Sequence, residues 1–294
     1  MFHRGERDVQ LKAGFDIDSW GSPGVDAAVP AVAATFLAQQ RLVVFGADDE
    51  DGAVWATALS GPAGFVTAAD ERTLLTDRVP DEGDPLAGRF ADRRDLGMLA
   101  IEPATRRRMR VNGRARDTGA GLEIHTEQVY ANCPKYLQTR TVEDAPETTP
   151  RHVHKGRTLT AGQRRWIAEA DTFFVATRAQ GLGADVSHRG GNPGFVAVQE
   201  DSTLTWPDYN GNAMFMTLGN LELDPRCGLL FLDWDTGAAL HLTGTARTDW
   251  DPARTEPFPG ALRVIDFQVE QAVQIDGAHA LRWSFKQYSK FNPA

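Results

Sequence analysis

The chain has 294 residues, 41% hydrophobic and 24% charged, a composition typical of a globular protein with room for two domains. Its formal net charge of -9 disfavours wholesale binding to a nucleic-acid backbone, which depends on a concentrated basic face. No apolar run of about 18 residues occurs and the N-terminus is charged, so we expect a cytoplasmic protein without a membrane helix or signal peptide. Cys133 and Cys227 have no CxxC partner, which favours reduced thiols over a disulfide framework or a zinc site.

The predicted elements begin with a helix over about 25–40 and a strand that starts at 42. A second helix is predicted over about 161–170, with Thr160 as its N-cap, and is followed by a strand that starts at 172. Three short polar segments stand between apolar or alternating runs and predict tight hairpin turns. They are 51–52, 117–119 and 235–237.

An internal repeat appears when the chain is compared with itself at an offset of 130 or 131 positions. The paired anchors are 64–66 with 194–196, Gly97 with Gly228, and Gly113 with Gly244. The order of short strands and turns is the same in both copies and is typical of small antiparallel barrels. The segment 142–157 is rich in Glu, Thr, Pro and His and is predicted to be a linker.

The predicted fold class is therefore mainly β, with two tandem Greek-key split β-barrels that form a pseudo-dimer within one chain. The expected first copy spans 25–141 and the second 158–284. The basic run 106–110 is interrupted by apolar residues, and we expect it to form a solvated strand face. His152 and His154 share one face of a strand, but no third ligand is evident, so no metal site is expected.

Several segments of the second copy resemble FMN-binding proteins of the pyridoxamine 5'-phosphate oxidase-like superfamily. They are DVSHRGGNPGFV at 185–196, TLTWPDYNGN at 203–212, TLGN at 217–220 and DPRCGLLF at 224–231. In the first copy, VYANCPKY at 129–136 is similar to a motif that recurs in these proteins. The basic flavin-phosphate motifs of true pyridoxamine-phosphate oxidases are not intact, so vitamin B6 oxidation is not implied.

The resemblance implies a flavin-dependent oxidoreductase in which FMN carries the electrons between a donor and a small molecule. Deazaflavin could replace FMN, because the wider superfamily uses the same barrel for both. The alternatives are a non-catalytic flavin-binding or flavin-sensing module, and a haem-binding relative with a histidine as axial ligand. NAD(P)H or a redox protein is the expected electron donor, no nucleic acid or membrane partner is expected, and the pseudo-dimer could pair again as a homodimer.

The candidate site is centred on Arg189, whose permanent charge and planar fork suit a flavin phosphate, beside Gly190 and Gly191, whose amides could approach the ligand. Trp206 and Tyr209 could wall the flavin. The residues expected to contact the cofactor are Ser187, His188, Arg189, Gly190, Trp206, Tyr209, Asn210, Asn212, Thr217, Asn132 and Lys135. The candidate proton donors are His188, Lys135 and Tyr136.

Each of these assignments has a structural alternative. The segment 190–193 could be a plain hairpin loop, Trp206 a core residue, His188 an ordinary strand histidine, and Lys135 a solvated lysine. In addition, the motif 132–136 of the first copy is expected to reach across and complete the site of the second copy.

Only one flavin per chain is expected, because the first copy lacks the key residues. At the offset of 130, Ala58 and Leu59 stand where the second copy has His188 and Arg189. Asp81 and Glu82 occupy further site positions and would repel a phosphate.

Overall fold

The computed structural model describes residues 2–15, 24–131, 133–144 and 150–294. Its α-helices in these ranges are α1 Arg4–Lys12, α2 Ala31–Ala38, α3 Ala161–Glu169 and α4 Met216–Leu223. None of the helices in the described ranges is long and apolar enough to cross a membrane.

Two large antiparallel sheets make up most of the molecule. The first contains β1 Leu42–Asp48, β2 Val54–Ser60, β3 Val66–Asp70, β4 Thr73–Thr76, β5 Arg94–Glu102, β6 Arg107–Asp117 and β7 Leu122–Ala131. The chain continues with β8 Thr139–Asp144, β9 His152–Gly156, β10 Thr172–Ala179, β11 Gly183–Gly190, β12 Ala197–Val198, β13 Thr203–Asp208, β14 Arg226–Leu232, β15 Ala239–Asp249, β16 Arg263–Asp276 and β17 Leu281–Gln287.

The two sheets have the same strand order, which is β2-β1-β5-β6-β7-β4-β3 in the first and β11-β10-β14-β15-β16-β13-β12 in the second. Strand β9 pairs with β16 at the side of the second sheet, while β8 and β17 form a separate two-stranded sheet. The predicted fold class, mainly β with two tandem split barrels, is confirmed. The expected linker 142–157 includes the end of β8 and all of β9.

Helix predictions succeeded where a cap was recognisable. Helix α3 begins after Thr160, whose side chain accepts a hydrogen bond from the Gln163 backbone N–H at 3.2 Å. The helix predicted over 25–40 is wrong in its first half, because α2 begins only after Pro30. Asp26 instead accepts hydrogen bonds from the two following amides and pairs its backbone with Val129, which holds this segment away from a helix.

The glycine anchors of the repeat lie where strands approach too closely for a side chain. A Cβ on Gly97 would lie 2.7 Å from the backbone of β11, and one on Gly228 would lie 2.6 Å from the backbone of β2. A Cβ on Gly113 or Gly244 would fall within 2.0 or 1.9 Å of a carbonyl oxygen on the next strand, at register shifts that both sheets share. Only glycine satisfies these four contacts.

The two barrels pack on each other through a shared apolar layer. Val44 and Leu99 of the first barrel belong to one buried apolar cluster. Phe174 and Leu230 of the second barrel belong to the same cluster. Because neighbouring residues of a strand point to opposite faces, each barrel has its own core on the other side of these strands.

Candidate functional site

A cavity opens between the barrels, where β6 of the first lies beside β11 of the second. Arg108 and Arg110 of β6 line one side, and Ser187, His188 and Arg189 of β11 line the other. The enclosed space is about 130 Å³, and the cleft including its open mouth measures about 970 Å³. A cleft of this kind suits a ligand that is held at one end and partly exposed at the other.

Most of the residues expected to bind the cofactor line this one cavity. They are Lys135, Ser187, His188, Arg189, Gly190, Tyr209, Asn210, Asn212 and Thr217. The candidate proton donor Tyr136 lines the cavity as well. Lys135 and Tyr136 follow the last strand of the first barrel, so the lining comes from both halves of the chain. Asn132 lies outside the described residues.

Trp206 lies in the core and not in the cavity, which corrects its assignment as a wall of the flavin site. Its side chain is 1% exposed and packs against Phe173 and Phe267 inside the second barrel. Because side chains alternate along a strand, the next residue of β13, Pro207, lines the cavity instead.

The prediction of a solvated basic face over 106–110 is wrong for two of its arginines. Met109 and Val111 point into the first barrel, which directs Arg108 and Arg110 towards the second. The signal was present in the sequence: apolar residues at every second position place both guanidinium groups on one face, and in a tandem barrel that face meets the other copy.

Arg110 is held in a dense polar network behind the cavity. Its Nη1 donates to Asp185 Oδ1 at 3.0 Å and to the Tyr130 hydroxyl at 3.2 Å, while its Nη2 donates to Ser187 Oγ. Ser187 Oγ also lies 2.8 Å from Thr217 Oγ1, at the first turn of α4. The Asp185 carboxylate neutralises Arg110, so this residue orients the site rather than supplying free charge.

Arg108, by contrast, lines the cavity and forms no ion pair with a carboxylate of the described residues. Its Nε donates to the Cys133 carbonyl oxygen at 2.9 Å, and its Nη1 lies 2.9 Å from His188 Nδ1. Burial, together with the positive charges of Arg110 and Arg189, lowers the pKa of Arg108 to about 9. This guanidinium is therefore a cation that an anionic ligand would stabilise.

The contact with Arg108 also fixes the hydrogen on the His188 ring. An arginine only donates, so Nδ1 of His188 accepts, and the neutral ring carries its hydrogen on Nε2. Burial and the neighbouring arginines, Arg108 first, lower the pKa of His188 well below its ordinary value. His188 lines the cavity, and its Nε2 is a buried donor with no hydrogen-bond partner among the described residues.

The glycines after Arg189 are required by protein contacts and not by the approach of a ligand to free amides. A Cβ on Gly190 would lie 2.1 Å from the Tyr136 carbonyl oxygen, and one on Gly191 would lie 2.5 Å from the Phe195 ring. The Gly191 amide already donates to the Asp171 carbonyl oxygen at 3.1 Å. The expectation that these amides cradle a phosphate is therefore wrong for Gly191.

A second group of charges surrounds Asp208 on the wall of the same cavity. Arg189 has a buried Nε without a hydrogen-bond partner among the described residues, and Arg263 Nε lies 3.5 Å from Asp208 Oδ2. Burial raises the pKa of Asp208, although both arginines oppose this effect. Sequence reasoning missed Asp208 and Arg263, because neither belongs to a glycine-rich segment.

The corresponding position of the first copy is nearly closed. Thr57, Ala58 and Leu59 occupy the positions equivalent to 187–189 and line a cavity of about 20 Å³, together with Asp84 and His241. This space holds about one water molecule. That the first copy has no flavin site stays a prediction.

The residues of the large cavity fit a flavin phosphate and ring. Arg108 supplies uncompensated positive charge, and Ser187 and Thr217 supply neutral hydroxyls. The rings of Tyr136 and Tyr209 lie 5.1 Å apart at the mouth, where the Tyr136 hydroxyl donates to the Asn210 carbonyl oxygen at 3.0 Å. A phosphorylated aromatic ligand requires polar and positively charged groups for its phosphate and aromatic side chains beside its ring, and this cavity contains both.

The chain is similar to a sequence model of one protein family and to several solved structures. Residues 159–288 match the sequence model of the pyridoxamine 5'-phosphate oxidase family, whereas no curated protein matches the chain. A candidate pyridoxamine 5'-phosphate oxidase from Lactobacillus delbrueckii is 18% identical and aligns over 39% of this chain and 93% of its own, with a TM-score of 0.33. An FAD-binding protein from Mesorhizobium loti is 13% identical over 42% of this chain and 97% of its own, with a TM-score of 0.29. HupZ from Group A Streptococcus is 12% identical over 45% and 98%, with a TM-score of 0.32.

The fold thus defines a protein of two split barrels with a cavity between them. The match over 159–288 lies in the second barrel, and for this segment the resemblance to the pyridoxamine 5'-phosphate oxidase family found in the sequence is confirmed.

Proposed function

We propose that the protein binds FMN in the cavity between its barrels and is a flavin-dependent oxidoreductase acting on a small molecule. The observation that carries this proposal is Arg108, a half-buried cation that lines the cavity and has no carboxylate partner among the described residues. A phosphate dianion would relieve the repulsion among Arg108, Arg110 and Arg189. The chain has a net charge of -9, so such a concentration of positive charge is not a general property of its surface.

In this proposal Arg108 and Arg189 hold the phosphate, and Ser187 and Thr217 add hydroxyl contacts. The Nε2–H of His188 donates to a ring acceptor, and this donor stays in place over a wide pH range because the lowered pKa keeps the ring neutral. The bound flavin supplies the electron transfer, and the protein orients the ring and its partner. NAD(P)H or a redox protein would be the electron donor.

Proton transfer is assigned to the mouth of the cavity. Lys135 and Tyr136 both line it, and burial raises the pKa of Tyr136, so its hydroxyl stays protonated. His188 does not suit the role of proton donor as an imidazolium ion, because its lowered pKa keeps the ring neutral.

We also propose that 25–141 and 158–284 are duplicated copies of one unit, joined by 142–157. The shared strand order and the matched glycine contacts support this assignment. Both cysteines are free, which suits a reducing compartment such as the cytoplasm.

A haem role is less compatible with the site. An axial histidine presents a bare nitrogen to iron, but in His188 Nδ1 is occupied by Arg108 and the hydrogen is on Nε2, so neither nitrogen is bare. FMN and deazaflavin share the features that the cavity recognises, so the contacts alone do not separate them.

The absorption spectrum of the purified protein tests the function. Flavin bands that are bleached by NAD(P)H or by a reduced redox protein would support an oxidoreductase. Bound flavin that no donor reduces would indicate a binding or sensing module. A Soret band, or the failure of added FMN to bind, would overturn the proposal.

A further inference from the structure

Arg263 is a buried cation whose hydrogen-bonding capacity is largely unused. Its side chain lines the same cavity as Arg108, and the residue is only 4% exposed. Its Nε and Nη1 are buried and have no hydrogen-bond partner among the residues that the structure describes. Buried donors without partners are costly, so their persistence at a cavity wall points to a ligand that completes them.

The guanidinium group of Arg263 is held in position before any ligand binds. It lies over the rings of Phe215 and Trp250, with its central carbon 5.1 and 4.5 Å from their centroids. Asp208 is its nearest carboxylate, at 3.5 Å, without a hydrogen bond between them. A planar fork fixed in this way suits an oxyanion with two acceptor oxygens.

The charge balance of the cavity leaves room for a second anionic group. The cations at the cavity are Arg108, Arg110, Lys135, Arg189 and Arg263, and the carboxylates that face them in the described residues are Asp185 and Asp208. Three positive charges remain in excess. A phosphate dianion bound at Arg108 would neutralise two of these positive charges. One positive charge would then remain to be neutralised by a monoanionic group.

We propose that Arg263 binds the carboxylate of a monocarboxylate substrate, whose apolar part lies against Phe215, Leu262 and Pro207 in the same cavity. These three residues line the cavity together with Arg263 and give it an apolar wall. The redox role of this substrate rests on the proposed flavin function. The binding of the carboxylate rests on Arg263 alone and is tested separately.

The test compares benzoate with its neutral analogue benzamide. Binding of each to the full-length protein is measured by isothermal titration calorimetry, with and without saturating FMN. We expect benzoate to bind at least tenfold more tightly than benzamide, and R263Q to lose at least tenfold in benzoate affinity while its FMN affinity stays within threefold of the wild type. R263K, which keeps the charge but loses the fork, should fall between the two.

The matched control is R247Q, because Arg247 is exposed on β15 away from the cavity and should leave benzoate binding unchanged. Thermal unfolding of each variant verifies that it is folded. If R263Q does not fold, R263K is compared with the wild type in its place. Equal affinities for benzoate and benzamide, or unchanged benzoate binding in a folded R263Q, would overturn the inference. A loss of FMN binding in R263Q would also overturn it, because Arg263 would then hold the flavin phosphate. If FMN does not bind the wild type, the proposed function fails, and benzoate binding that depends on Arg263 still supports the carboxylate site.

Discussion

Replacement of Arg108 by glutamine removes the half-buried charge on which the flavin proposal depends. A charge-assisted contact to a phosphate contributes roughly 1.5–3 kcal/mol, so Arg108→Gln should weaken FMN binding about ten- to a hundredfold. In the flavin-free protein, by contrast, the same substitution should not lower the unfolding free energy. Each unit by which a pKa is lowered costs the charged form about 1.4 kcal/mol, and the pKa of Arg108 falls from 12.5 to about 9. The flavin-free variant should therefore be at least as stable as the wild type, even though it loses the contact with His188.

The assay is a fluorescence titration of flavin-free protein with FMN, paired with urea unfolding of the same samples. Arg107→Gln is the matched control, because Arg107 is the preceding residue of β6 and its side chain is 55% exposed in an ion pair with Glu102. That variant should bind FMN as the wild type does. An unchanged FMN affinity in Arg108→Gln would refute the assignment of the phosphate to Arg108.

Three further substitutions test other parts of the account. Gly190→Ala should destabilise the protein by roughly 1–3 kcal/mol, because the new Cβ would lie 2.1 Å from the Tyr136 carbonyl oxygen. Urea unfolding measures this loss, and a variant as stable as the wild type would contradict the close contact. Trp206→Leu should lower the unfolding free energy by a few kcal/mol and leave FMN affinity within about threefold, because the ring lies in the core; a selective loss of FMN would restore Trp206 to the site. Burial raises the pKa of Glu6 from 4.5 to about 7. Above pH 7 this carboxyl must ionise in a buried position, so there it lowers the unfolding free energy of the protein. Glu6→Gln should therefore raise the unfolding free energy by up to about 3 kcal/mol at pH 8 and have little effect below pH ~4.5, and a pH-independent difference between the two proteins would exclude this explanation.

The proposed repeat was recognisable in the sequence because close contacts with neighbouring backbone require glycine at its paired positions. Gly97 and Gly228 lie where strands of the two barrels cross, and no residue with a side chain fits there. The cap at Thr160 was equally local, since its side-chain contact spans only three residues. Such features leave a direct trace in the sequence, and the fold class follows from them.

The composition of the site depended on contacts that sequence spacing does not display. Arg108 meets His188 across 80 positions of the chain, and Arg110 meets Asp185 across 75. The family motif led to β11, which lines the cavity, but attributed the glycines to a ligand although Tyr136 and Phe195 require them. Trp206 was misplaced because a motif does not say which face of a strand each residue occupies.

The most direct test of the central claim is the number of flavins that the intact chain holds. Protein saturated with FMN is freed of unbound flavin, weighed and denatured, and the released flavin is quantified by its absorbance. The account predicts one equivalent per chain, because the cavity between β6 and β11 is open while its counterpart beside Thr57 measures about 20 Å³. Two equivalents would show that the counterpart binds as well, and none would contradict the flavin site itself.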